Sequence, residues 1–151
     1  MIPATSPERL VEVCARLKVK GCVGCLVSGG CGLDGSVPLD GFIDSIARMK
    51  KTLGLTVVVH TGIVRGSTAE KLRDAGVDAA LIDVVGANET IKQVLHLDAT
   101  VEDYESSLQK LAGSGVPLIP HVLVGLHQGK LLGEFEALKM ISRHSPRALI
   151  I

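Results

Sequence analysis

The feature that most constrains this chain is a recurring unit of amphipathic helix, glycine, short apolar strand and glycine-containing turn. The runs at residues 23–27, 55–59 and 79–85 are apolar along nearly their whole length. The first of these is expected to be buried on both faces, and the alternation of helix and strand points to a parallel sheet covered by helices. Parallel strands need a crossover helix between them, and the sequence supplies one each time.

Taken in order, Ser6-Pro7 opens the first helix with a capping hydroxyl and a proline at its first turn. Leu10, Val13, Cys14 and Leu17 give it an apolar stripe, and Gly21 ends it. A second helix follows Pro38 and is expected to stop at Gly54. Ser67-Thr68-Ala69-Glu70 and Thr100-Val101-Glu102-Asp103 each fit a capping box, and Asn88 fits the cap of the helix between them. Further strands are expected at residues 118–124 and 148–151, with a last helix over 131–142. A closed eight-stranded barrel takes ~250 residues. At 151 residues, one domain over 1–151 supplies about five parallel strands with flanking helices. The fold class is therefore α/β, a partial (β/α) barrel. Its two sheet edges would be open, which predicts a homodimer or a partner chain covering at least one of them.

Composition excludes several classes. The formal net charge is zero and no basic run exceeds Lys50-Lys51, so neither nucleic acid nor an anionic membrane is an expected partner. Phe42, Tyr104 and Phe135 are the only Phe, Tyr or Trp residues, too few for a base-stacking platform. No apolar run reaches the ~18 residues of a membrane span. The first six residues have no signal-peptide pattern, so the expected location is cytoplasmic, with Cys14, Cys22, Cys25 and Cys31 reduced.

In parallel α/β folds, ligands bind beyond the carboxyl ends of the strands. The small polar residues fall there: Ser28-Gly29-Gly30, His60-Thr61-Gly62, Asp83 and the run His121 to Gly125. A carboxylate in an apolar strand needs a partner, so Asp83 is a candidate for a sugar hydroxyl, a cation or an amide. His60 and His121 read either as hydrogen-bonded core residues or, with Asp83, as a divalent-metal set. Cys22 and Cys25 form a CxxC, but residues three apart on a strand point to opposite faces. They read as small buried hydrophobes, and Cys31, at the rim, as the reactive thiol. The turn Gly125-Leu126-His127-Gln128-Gly129 reads as a second close-approach loop, and Glu134 and Glu136 as a solvated helix face.

With the turns placed, the sequence resembles the radical S-adenosylmethionine (SAM) proteins, above all the biotin-synthase-like branch. Ser28-Gly29-Gly30 is similar to the glycine pair that binds the methionine amino group of SAM. The segment Lys71 to Asp78 is similar to the Ala-Gly-Val-Asp entry into the fourth barrel strand, and His96-Leu97-Asp98 with Tyr104-Glu105 to a His…Tyr-Glu segment. His121-Val122-Leu123-Val124-Gly125-Leu126 resembles the strand G-x-I-x-G-x-x-E that contacts adenine. The resemblance implies SAM contacts from Ser28, Gly29, Gly30, Asp83 (ribose), His121, Leu123 and Gly125. On this reading the chain resembles strands two to six of the barrel.

The chain also departs from that pattern. The family's CxxxCxxC, which holds a [4Fe–4S] cluster, does not occur in these residues. His121 stands at the first glycine of the adenine strand, Gln128 at its glutamate, and Cys31 at the third place of the glycine motif. Three functions follow as expectations. The first is a SAM-contacting domain that is inactive alone. The second is a metal-dependent hydrolase or lyase using His60, Asp83 and His121. The third is a non-catalytic subunit that completes a barrel with a partner.

Overall fold

Four short parallel strands lie side by side in chain order, β1 (Gly24–Val27), β2 (Thr56–His60), β3 (Ala79–Asp83) and β4 (Leu118–His121). The computed structural model describes residues 2–151. Helices α1 (Pro7–Val19), α2 (Ile43–Leu53), α3 (Thr68–Asp74), α4 (Asn88–Gln93), α5 (Val101–Ser114) and α6 (Glu134–Ser142) separate or flank the strands. A single 3₁₀ turn, Asp40–Phe42, leads into α2.

Strand alternation divides the sheet into two unlike faces. Register pairs Cys25 with Val57, Val59 with Ala80 and Ala80 with Leu118, so these share one face. Val57, Val59, Ala80 and Ile82 are fully buried there, in one core with Ile46 and Met49 of α2, Leu72 of α3 and Leu108 and Leu111 of α5. Each of these larger side chains contributes roughly 1.5–3 kcal/mol by leaving water. The opposite face carries Leu26, Val58, His60, Leu81, Asp83, Ile119 and His121. It is less well covered, and Leu26 is 56% exposed. The expectation of burial on both faces therefore fails for β1, whereas β3 is buried on both. The apolar character of β1 belongs to a barrel interior that four strands do not close.

The predicted fifth strand is reduced to one residue. Ile150 bridges His121 in parallel, donating to Pro120 O at 3.0 Å and accepting from Val122 N–H at 2.9 Å. The third and fourth strands stop at Asp83 and His121, earlier than their apolar runs suggest. The last helix begins at Glu134, because Gly133 sits at φ +100° and interrupts the helical path.

Helix ends follow the local chemistry in most places. Ser6 Oγ accepts from Arg9 N–H at 3.2 Å, and Gly54 ends α2 at φ +58°. At α5, Thr100 N–H donates to Asp103 Oδ2 at 2.9 Å. The expected box at Ser67 does not form: its backbone, at φ −98° and ψ 17°, is not in the extended region that a capping residue adopts. Thr68 Oγ1 and Lys71 Nζ both reach Asp40, at 3.0 and 3.2 Å. Asn88 begins α4 but does not cap it. Its Oδ1 accepts from Val101 N–H at 3.0 Å, satisfying an N-terminal amide of α5 instead. No helix among the described residues is long and apolar enough to cross a membrane.

Candidate functional site

The polar residues that end the strands surround one cavity of about 480 Å³, open on one side. Ser28, Gly29 and Gly30 follow β1, His60 ends β2, and Asp83 ends β3. Tyr104 of α5 and Leu123, just after β4, complete the wall with them.

The glycine turn contributes space. A Cβ on Gly30 would meet nothing within 4 Å, and one on Gly29 would sit 3.5 Å from Val37 Cγ1. Side chains at these positions would project into room the fold leaves open. The loop beyond them is held firmly. Asp34 Oδ1 accepts from Ser36 Oγ at 2.8 Å and from Ser36 N–H at 3.1 Å, while Arg65 Nε donates to Oδ2 at 2.9 Å. The Ser36 hydroxyl and amide, aided by Arg65, hold the Asp34 carboxyl below its ordinary value. Leu33 O accepts from Asp98 N–H at 2.7 Å, which ties the loop to the segment after α4.

This loop also crosses the turn after β2. Val37 N–H donates to Thr61 O at 3.1 Å and Ile63 N–H to Gly35 O at 2.9 Å. Gly62 lies between them at φ +59°, and a Cβ there would fall 2.3 Å from Gly35 O. Only glycine permits that crossing. The cavity wall is thus preorganised by backbone contacts between the first two strand ends.

On the floor, one carboxylate oxygen serves two imidazoles. His121 Nδ1 and Asp83 Oδ1 are 3.1 Å apart, and His60 Nε2 lies 3.2 Å from the same oxygen. The two rings meet edge to face with centroids 5.8 Å apart. The His60 contact outweighs burial and, with the nearby His121, holds the Asp83 carboxyl below its ordinary value. Among the described residues, Asp83 Oδ2 has no hydrogen-bond partner, and the buried Nε2 of His121 has none either. Asp83 keeps 42% of its side chain exposed, enough to meet a ligand in the cavity.

Ser28, Gly29, Gly30, Asp83 and Leu123 line the cavity. His121 is not on the wall and touches it through Asp83. Gly125 also lies off the wall, and its N–H donates to Glu134 Oε1 at 2.8 Å. Glu134 corrects an expectation. Read as a solvated helix face, it is only 8% exposed and turns under the loop after β4. Its partner is a backbone N–H on another element, which helical periodicity does not report. Tyr104 is the principal residue that site reasoning missed. It lines the cavity from α5, with its phenol pushed up to about 12 chiefly by burial. The Tyr104-Glu105 segment was the available signal.

The sequence model of the Radical SAM superfamily matches residues 2–130. A biotin synthase from Bacillus licheniformis is 26% identical over 106 residues, 70% of this chain and 31% of that protein. The chain therefore spans about a third of the length of this curated relative. A crystal structure of methylornithine synthase (PylB) superposes with a TM-score of 0.69 at 17% identity, over 94% of this chain and 42% of that one. That likeness shows a shared α/β barrel fold, here present in part.

Proposed function

The chain belongs to the radical SAM superfamily, and from that premise we propose that it forms the SAM-holding side of a radical SAM barrel. The observation that carries the reading is the pairing, across one cavity, of the open glycine turn with a carboxylate that has one oxygen tied and one free. The methionine end of SAM is assigned to Ser28, Gly29 and Gly30. The ribose diol is assigned to Asp83 Oδ2, and the adenine to the chain at Leu123. Two imidazoles on Oδ1 fix the carboxylate's orientation and its charge, so that Oδ2 is ready to accept ribose hydroxyls. His121 and Gly125 act indirectly, through Asp83 and Glu134.

The cysteines do not fit the iron–sulfur cluster of the family. Cys14 is buried and faces Cys25 at an Sγ–Sγ separation of 3.8 Å, whereas Cys31 is exposed at the rim. No cysteine joins a group of three or more metal-ligating side chains among the described residues. In this family the [4Fe–4S] cluster supplies the electron that cleaves SAM, and these residues do not provide its ligands. We therefore assign binding to this chain and expect it to be inactive alone. Its catalytic complement would be a cluster-bearing segment or partner chain seated on the open edge of β1. The substrate class is a small molecule.

Calorimetric titration with SAM and with S-adenosylhomocysteine tests the assignment. Both should bind, and Gly30→Val should abolish binding with the thermal midpoint unchanged, since its side chain enters empty space. Asp83→Asn should weaken binding about 10–100-fold, the worth of a charged acceptor. Absence of measurable binding by the parent chain, or full affinity in Gly30→Val, would sink the reading.

A further inference from the structure

His60, Asp83 and His121 end three adjacent parallel strands, so the sheet ladder itself sets their spacing. Each offers one donor atom, and the three lie within 4.8 Å of one another. In a tetrahedral zinc site with bonds of about 2.0–2.1 Å, ligand atoms stand roughly 3.3–3.4 Å apart. The two Asp83–imidazole separations, 3.2 and 3.1 Å, are already close to that value. The imidazole–imidazole edge is within 4.8 Å. One carboxylate oxygen stands between the two rings, so the three candidate ligand atoms already form one cluster.

We propose that His60, Asp83 and His121 form a mononuclear site for a divalent transition-metal ion of the zinc type. Two imidazoles and a carboxylate suit borderline metals and exclude magnesium and calcium, which take oxygen ligands. Three protein ligands leave at least one position open. His60 and Asp83 line the cavity, so that position faces it. The chemistry that fits there is an oxygen donor on a small molecule, a carboxylate or a hydroxyl. Ligation through Asp83 Oδ1 leaves Oδ2 free, so a metal and a nucleoside are compatible occupants. The site stands on the ligand geometry and does not depend on SAM binding.

Zinc titration of chelator-stripped protein by calorimetry, with cobalt as the optical reporter, tests the site. One equivalent should bind, and cobalt should give the visible bands of a low-symmetry nitrogen–oxygen site without thiolate charge transfer. His60→Ala, Asp83→Ala and His121→Ala should each lower affinity at least 100-fold. Cys22→Ser with Cys31→Ser should leave it unchanged, and so should Gly30→Val, which separates this site from the nucleoside assignment. The unaltered protein supplies a readout independent of variant folding. On zinc addition the ring nitrogen resonances of His60 and His121 should shift, while those of His96, His127 and His144 stay. Sub-stoichiometric binding, shifts elsewhere, or loss of binding in the cysteine variant would overturn the proposal.

Discussion

The N–H of Gly125, in the loop after β4, donates to Oε1 of Glu134, the first residue of α6, at 2.8 Å. A buried carboxylate thereby holds the loop after β4 to the following helix. Burial opposes the charge on Glu134, but the amides of Gly125, Glu134 and Leu132 outweigh it and keep the carboxyl below its ordinary value. Glu134→Ala removes the acceptor and strands the amide, at a cost of about 1.5–3 kcal/mol. In a domain of this size that lowers Tm by roughly 3–12 °C. Glu136→Ala loses only an exposed 3.4 Å contact with Lys139 and should stay within about 0.5 kcal/mol. Equal melting temperatures for the two variants would refute the distinction.

Gly62 and Gly66 both adopt positive φ, at +59° and +54°, but only Gly62 is crowded. An alanine Cβ at Gly62 would meet the carbonyl of Gly35, whereas at Gly66 it meets nothing within 4 Å. Gly66→Ala should cost about 1 kcal/mol, the backbone penalty alone. Gly62→Ala should cost about 2–4 kcal/mol and loosen the β1–β2 crossing. Urea unfolding of both variants measures the difference, and similar midpoints would show that the crossing gives way freely.

Asp78 couples the approach to β3 with the start of β2. Its Oδ2 accepts from Val57 N–H and from Lys50 Nζ, each at 2.6 Å, and its own N–H donates to Val57 O at 2.8 Å. Burial raises its pKa, but the Lys50 ammonium and the Val57 amide prevail and lower it below the ordinary value. A folded-state pKa below the unfolded one stabilises above about pH 4, and that stabilisation is lost as pH falls through the folded value. Solvent reaches over a third of the side chain, so Asp78→Ala should cost only about 1–2 kcal/mol at pH 7. The gap between variant and parent should close as pH is lowered below about 4. A gap that widens with acid would reverse the assignment.

The thiols differ in reactivity by position. Cys25 is pushed up to about 12 by burial and then by the adjoining Cys14, so its thiolate is scarce at neutral pH. Burial raises Cys14 as well. Iodoacetamide at pH 7.5 should label exposed Cys31 first, then Cys22, and leave Cys14 and Cys25 for the unfolded protein, as read by peptide mass spectrometry. Anaerobic iron–sulfide reconstitution of the chain alone should give no stoichiometric broad absorbance near ~400 nm. A full cluster would show that the cysteines rearrange into a ligand set.

The order of elements was legible because each unit carries its own signals. Ser6-Pro7 and Gly54 mark helix ends, and the apolar runs mark β1 to β4 within a few residues. Signals failed where a side chain had a choice of partner. Asn88 has the chemistry of a cap for α4, yet Val101 N–H of the next helix takes its oxygen. The run at 148–151 has strand composition, but only Ile150 reaches the ladder.

The sequence by itself determined the repeated helix–strand unit, the parallel sheet and the polar character of the strand ends. Those follow from periodicity and turn chemistry, which act over a few residues. It also placed Ser28, Gly29, Gly30, Asp83 and Leu123 at one rim, by the rule that parallel strands gather their carboxyl ends. The tertiary structure alone decided that one oxygen of Asp83 would be shared by His60 and by His121, 38 residues further on. It alone decided that Glu134 would turn inward to Gly125. The physical reason is register: hydrogen-bonded ladders between distant segments set which strand ends stand level, and no local pattern encodes that offset.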